Sequence, residues 1–513
     1  MGDDHAGDAG GSGMNRRGFL RTTGVAATAL TVGAGTAAGK GSGVSANNFT
    51  IESWDGTELK ATLYTPAESG PRPSMLMTHG WGINRFSPLT LPKALTYAKN
   101  GYTVLTYDSR GFGGSEGTVM LDGPPEIKDA MWLLDWLADR DEVACEGEGD
   151  PKVGMDGVSY AGGIQLVTAA ADDRIDAIVP RITWNDLQYS LAPHGVIKIG
   201  WLSLLLGAGA FGTTDLDPSS KLYGKLYEWY EQALKTNEIP QQMLAMNHNR
   251  SFAYVKDGFD REPFTDIDSQ FDTPTFLLQG WEDALFKPVE AVRTYRTLQE
   301  YGVDSRIGFY RGGHDLQEIT VPVDDREYMN DLALTWMDRH VRGKDVDIPQ
   351  NIAYIQQSDH WRTAGEFPPS DTTPTKYCLG NATCHGENRI DRSSWWYDDE
   401  VRYTWEIDRP IEIYGTPQFC LEFDVHGPEA RLFFNLYHDG DWINNIGEAY
   451  RIDGTGSQTA AFEFPTLQRY FAPGDELTLE IKASSPWYLD SRTSEGVTVK
   501  PGASTITLPQ RPR

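Results

Sequence analysis

The stretch Val153-Gly154-Met155-Asp156-Gly157-Val158-Ser159-Tyr160-Ala161-Gly162-Gly163 reads as a short strand, a turn of small residues and the entry to a helix-forming run, Ile164–Ala171. A serine at so tight a strand-to-helix junction is pushed outward at the end of a sheet, and its neighbours must be small because larger side chains would collide. The N-terminus of the following helix favours negative charge beside it. Ser159 is therefore the candidate nucleophile. In the common Gly-x-Ser-x-Gly pattern the last position is glycine; here it is Ala161, with Gly162 one residue later. A Gly-x-Ser match alone is often only a turn, so the reading depends on its surroundings.

Outward from this junction, short apolar runs alternate with helical stretches. Ser74–Thr78, Tyr102–Tyr107, Ile175–Ile182, Thr275–Leu278 and Arg306–Tyr310 each lead into Gly, Asp or a polar turn. Between them, Ile127, Met131, Leu134 and Leu137 recur at helical spacing in Pro125–Arg140, as does Val289–Tyr301. That rhythm predicts an α/β domain with a mostly parallel sheet covered on both faces. Phe49–Thr65 alternates around Asp55-Gly56 and predicts a leading β-hairpin. Residues 190–265 interrupt the rhythm with helix-like, aromatic-rich sequence, the expected cap over the strand ends. Beyond residue 346 the pattern becomes strands and turns, among them Gln418–Val425, Arg431–Tyr437, Thr459–Phe464 and Glu476–Ile481. A chain of 513 residues exceeds one compact core, and the expected division is a catalytic domain over 41–345 and an all-β domain over 346–513.

Partners for Ser159 follow in the order acid, then histidine, which is the chain order of α/β-hydrolases. Phe276-Leu277-Leu278-Gln279-Gly280-Trp281-Glu282-Asp283 is a strand opening into a glycine turn with acids past its end, so Asp283 and its neighbour Glu282 compete for the role of orienting a histidine. Arg311-Gly312-Gly313-His314-Asp315 follows the last strand and puts the His314 imidazole on a turn able to reach the serine. An oxyanion would be held by backbone N–H groups: that of Tyr160, and one from the loop His79-Gly80-Trp81-Gly82, with Trp81 the expected donor. Asp108 and Arg110, in Tyr107–Ser115, read as loop braces rather than reacting groups.

Asp and Glu number 73 against 45 Lys and Arg, a formal charge of −28. Such an excess repels nucleic acid and anionic membranes and suits the solvated surface of a salt-adapted protein. Asn15-Arg16-Arg17-Gly18-Phe19-Leu20 and the Ala/Gly/Thr/Val run after it resemble a twin-arginine export signal, with Thr36-Ala37-Ala38 as the cleavage site and a short membrane anchor as the alternative. Residues 1–40 are thus a disordered start plus leader, and the expected location is extracellular or on the cell surface. Of four cysteines, Cys378 and Cys384 bracket a small loop and either pair or stand as separate thiols. Their spacing, with His385 beside them, is a poor zinc signal.

Gly157-Val158-Ser159-Tyr160-Ala161-Gly162, Gly280-Trp281-Glu282-Asp283, the stretch from Trp361-Arg362 to Pro368-Pro369 and Gly415-Thr416-Pro417 together resemble the CocE/NonD group, which includes the Xaa-Pro dipeptidyl-peptidase and cocaine esterase-like families. The resemblance covers most of the chain after the leader. It implies a jelly-roll C-terminal domain, no metal, no organic cofactor, and Asp283 rather than Glu282 as the acid. Family members often supply a tyrosine hydroxyl to the oxyanion hole where this chain has Trp81, leaving its backbone or its indole N–H as the substitute. The expected activity is hydrolysis of a small-molecule ester, amide or peptide through an acyl-enzyme. An Xaa-Pro dipeptidyl-peptidase would need a carboxylate for the substrate's amine, with Asp215, Asp217, Glu228 and Glu231 on offer. A third reading is a surface binding protein with a vestigial triad.

Overall fold

The computed structural model describes residues 43–212, 222, 224–255, 271–314, 316–391, 400–492 and 496–512. The twin-arginine segment and the candidates Asp215 and Asp217 lie outside the described residues.

Ten strands form one sheet: β1 Val44–Glu52, β2 Glu58–Pro66, β3 Ser74–Met77, β4 Thr103–Tyr107, β5 Val153–Val158, β6 Ala177–Arg181, β7 Thr275–Gly280, β8 Ser305–Tyr310, β9 Asn351–Ile355 and β10 His360–Ala364. Their spatial order is β1-β2-β4-β3-β5-β6-β7-β8-β9-β10, parallel from β4 to β9, with antiparallel strands at both edges. The central strands β5 to β8 are buried along their whole lengths, which is why they read as continuous apolar runs rather than alternating ones. Alternation survives in which face each residue serves. Leu76, Met155, Ile178 and Leu277 pack with the helices Pro124–Ala138, Tyr160–Ala171 and Pro288–Glu300. Met75, Val158, Val179 and Leu278 pack instead with Leu91–Lys99 and Val323–His340.

The sheet does not stop at residue 345. Ile307, Gly308 and Phe309 of β8 align with Asn351, Ile352 and Ala353 of β9, which carries β10 as an antiparallel edge. The boundary expected at 345/346 therefore moves past Ala364, because the buried run Asn351–Ile355 finds its pairing partner on the first sheet. From Thr373 onward the described strands pair antiparallel in an eight-stranded and a six-stranded sheet. Both contribute to one core, where Phe419 meets Phe434 edge-on at 6.5 Å. The four cysteines are free thiols.

The two units meet through buried polar contacts. Lys287, just before the helix Pro288–Glu300, pairs with Glu448 at 2.7 Å, both completely shielded from solvent, and Tyr189 donates its hydroxyl to the same carboxylate at 2.6 Å. No helix among the described residues is long and apolar enough to cross a membrane.

Candidate active site

The junction after β5 is as tight as its sequence implies. Ser159 has φ +57° and ψ −119°, a conformation that non-glycine residues adopt only when the surroundings enforce it. Its N–H donates to Arg181 O at 2.8 Å, and the Thr183 hydroxyl donates to its carbonyl at 3.0 Å. Close packing explains the small neighbours. A Cβ on Gly157 would lie 2.5 Å from that of Ala161, so an alanine at 161 is tolerated because 157 has no side chain. A Cβ on Gly163 would lie 2.1 Å from a carboxylate oxygen of Asp122 and 2.4 Å from the Trp184 ring. Gly163→Ala is accordingly expected to destabilise the protein by at least about 1–3 kcal/mol, the usual cost of overpacking; an unchanged melting temperature would contradict this packing.

His314 sits between serine and acid. Its Nε2 is 2.8 Å from Ser159 Oγ, and its Nδ1 is 3.0 Å from Asp283 Oδ2. Asp283 is fully buried, and its other oxygen accepts the N–H groups of Leu285 at 2.9 Å and Phe286 at 2.8 Å. With Asp283 accepting, Nδ1 carries the proton and the Nε2 lone pair faces the serine hydroxyl. The Phe286 ring stands edge-on to His314 at 4.7 Å and fixes its plane. Of the two competing acids, Glu282 points elsewhere: it is half-buried rather than solvated, and its Oε1 accepts from Gln356 at 2.9 Å.

Beside Ser159, the backbone N–H groups of Tyr160 and Trp81 have no hydrogen-bond partner among the described residues. Tyr160 begins the helix, where the first N–H groups have no intrahelical acceptor. The Trp81 indole N–H is already committed to Leu205 O at 2.7 Å, so of the two alternatives only its backbone N–H is free. The loop that carries Trp81 is braced by buried His79, whose Nδ1–H donates to Gly80 O while Nε2 accepts from Ser109 N–H. Burial pushes the His79 pKa down, consistent with a neutral imidazole. Asp108 and Arg110 are braces too. Asp108 accepts from Arg85 and from Gly114 N–H, and Arg110 forks onto Asp129 with two bonds of 2.6 Å and reaches Asp55.

A lysine not anticipated from sequence also touches the acid loop. Lys198 is buried and donates to the carbonyls of Ala284 and Leu285, each at 2.8 Å. Burial lowers its pKa well below the ordinary lysine value. Its isolation in the apolar run Val196-Ile197-Lys198-Ile199 was the available signal.

The segment between β6 and β7 supplies the helices Leu187–Leu191, Ile199–Phe211, Gly224–Thr236, Gln241–His248 and Phe252–Val255. Two apolar spaces open beside Ser159. One, of about 80 Å³, is walled by Trp184, Leu206, Trp229, Met243 and Phe286; the other, of about 330 Å³, is a groove walled by Ile83, Leu89, Ala208, Phe211, His314 and Ile319. Glu228 and Glu231 lie on the opposite side of their helix, exposed and paired with Lys225 and Lys235, and reach neither space.

Among the described residues, the His438–Asp439–Asp475 group alone has metal-ligand spacing. There Arg469 donates to Nδ1 of His438, leaving Nε2–H to donate to Asp475 at 2.8 Å, so the ring nitrogens are already engaged.

The profile of the X-Pro dipeptidyl-peptidase (S15) family matches residues 55–315, just over half of the chain. Cocaine esterase from Rhodococcus sp. (strain MB1 Bresler) is 26% identical over 373 residues, covering 66% of this chain but only 62% of the esterase. Among solved structures, a CocE/NonD family hydrolase from Staphylococcus aureus superposes with a TM-score of 0.65 at 15% identity, covering 91% of this chain and 93% of that one. An α-amino acid ester hydrolase superposes with a TM-score of 0.68 at 16% identity, over 95% of this chain and 100% of the other. At such identities the structural likeness concerns the fold: an α/β-hydrolase domain followed by a β-rich domain.

Proposed function

The chain belongs to the X-Pro dipeptidyl-peptidase (S15) family of hydrolases, and from that premise we propose that it is an exported serine hydrolase that cleaves an uncharged carboxylic ester through an acyl-enzyme. The observation that carries the reading is the continuous relay from Asp283 through His314 to Ser159, with bonds of 3.0 and 2.8 Å. Ser159 Oγ attacks the carbonyl carbon as its proton passes to His314 Nε2. The alkoxide that forms is met by the N–H groups of Tyr160 and Trp81, each such donor being worth about 10²–10³ in kcat. His314 returns the proton to the departing oxygen, and water then repeats the sequence to release the acid. Asp283 holds the imidazole in the required tautomer throughout.

In this reading the helices over 190–265 act as a cap over Ser159 and the β-rich unit is a jelly roll. The Arg16-Arg17 leader supports export, and the acidic surface supports a salty exterior.

Dipeptidyl-peptidase activity would need a carboxylate beside the acyl group for the substrate's ammonium. Among the described residues that line the space of about 80 Å³ beside Ser159 there is no carboxylate. Burying an ammonium there unpaired would be strongly unfavourable, which argues for uncharged acyl groups. A vestigial site is disfavoured because Asp283, His314 and Ser159 still form an unbroken hydrogen-bonded relay.

The test compares p-nitrophenyl butyrate with Gly-Pro and Ala-Pro p-nitroanilides, at low and molar salt. Ester turnover with no anilide turnover above background is expected. Nitroaniline release from Gly-Pro anilide but not from its N-acetylated form would replace the esterase with a peptidase.

A further inference from the structure

We propose that the two spaces flanking Ser159 have unequal roles, the smaller one taking a short acyl group and the larger groove a bulky apolar alcohol. The proposal rests on Ser159 as nucleophile and His314 as base, and adds which part of the ester lies where.

Chemistry assigns the sides. The group that leaves must take its proton from His314 Nε2, so the leaving oxygen has to lie within about 3 Å of that nitrogen. His314 lines the groove of about 330 Å³ and does not line the smaller space. The alcohol half of the ester therefore extends into the groove, and the acyl half into the smaller space against Trp229 and Met243.

Volume then sets the sizes. A cavity of roughly 150 Å³ accommodates benzene. At about 80 Å³ the acyl side is half that, enough for an acyl chain of about three or four carbons. The groove has about twice the benzene volume and is open to solvent. At its mouth Phe211 is 65% and Ile319 49% exposed, apolar surface that a bound alcohol would cover. Glu318 lines the same groove and disfavours an anionic leaving group.

The wall between the two spaces explains an otherwise odd sequence. Ile199–Phe211, Ile-Gly-Trp-Leu-Ser-Leu-Leu-Leu-Gly-Ala-Gly-Ala-Phe, is apolar all round instead of amphipathic. Leu202 and Leu206 face the acyl side, Leu204, Ala208 and Phe211 face the groove, and Leu205 borders both. A helix with apolar space on each side has no polar face to present.

Two ester series test this in the full-length enzyme. Ethyl acetate, butyrate, hexanoate and octanoate vary the acyl group. Ethyl, 2-phenylethyl and 2-(1-naphthyl)ethyl butyrate vary alcohol size among primary alcohols of similar acidity. The expected result is a kcat/KM maximum at butyrate with at least a tenfold fall by octanoate, and a tenfold or greater rise from ethyl to naphthylethyl. Trp229→Ala should move the acyl optimum to longer chains, and Phe211→Ser should shrink the naphthylethyl-to-ethyl ratio. Both readouts are ratios within one variant and so are independent of how much of it folds. Octanoate matching butyrate, or ethyl butyrate outperforming its naphthylethyl counterpart, would overturn the proposal while leaving the hydrolase reading intact. Failure of wild type to exceed Ser159→Ala on every ester would instead overturn the hydrolase reading, and this proposal with it.

Discussion

Ser159→Ala is expected to lower kcat for p-nitrophenyl butyrate by about a millionfold, the size of loss seen when a nucleophile that works as a unit with its base is removed. Labelling by a fluorophosphonate probe should disappear with it. The fold should survive. Alanine at φ +57° meets the same backbone strain as serine, and the Oγ has a hydrogen bond to His314 but no structural bond on which a strand depends. The melting temperature should therefore stay close to wild type while activity vanishes. Activity within tenfold of wild type, or undiminished labelling, would remove Ser159 from the mechanism.

Asp283→Asn is the next largest expected loss, about 10⁴ in kcat, and its cause is visible in the acid loop. Asp283 Oδ1 accepts two backbone N–H groups, from Leu285 and Phe286, so an asparagine there would turn its carbonyl oxygen toward them and its NH₂ toward His314. Nδ1 would then have to accept, and the imidazole proton would move to Nε2, where it faces Ser159 Oγ and blocks proton abstraction. Glu282→Gln keeps an oxygen for Gln356 and leaves the relay untouched, so kcat should change less than threefold. Steady-state kinetics on both variants decides between the adjacent acids. An inactive Glu282→Gln beside a near-normal Asp283→Asn would reverse the assignment.

The parts of the fold that could be read from sequence are those with a clear local pattern, either uniform burial or the alternation of β1, β2 and Gln418–Val425. β5 to β8 are covered on both faces, so their apolar runs stand out, and the tight turn at Ser159 needs glycines that no ordinary loop would need. The three residues of the relay were legible because each follows the end of a strand. β9 and β10 join the first sheet, not the β-rich unit expected from residue 346, because strand character says nothing about which sheet a strand joins. The helix Val323–His340 went unread although Met329, Leu332, Ala333, Trp336 and Met337 repeat at helical spacing, because its charged first turn hides the stripe. Lys198, the commitment of the Trp81 indole and the outward direction of Glu228 and Glu231 all depend on contacts between segments far apart in sequence, which periodicity does not encode.

Lys287 and Glu448 are 161 positions apart, and the lysine directly follows the loop that holds Asp283. As the chain is made from its N-terminus, Ser159 and His314 emerge well before the partner of this buried ammonium exists. An uncompensated buried charge costs about 3–5 kcal/mol, a large share of the stability of a typical domain. The acid loop is thus expected to settle last. Full catalytic competence is expected only once residue 448 has been added and the strand bearing it has closed against the first sheet's domain.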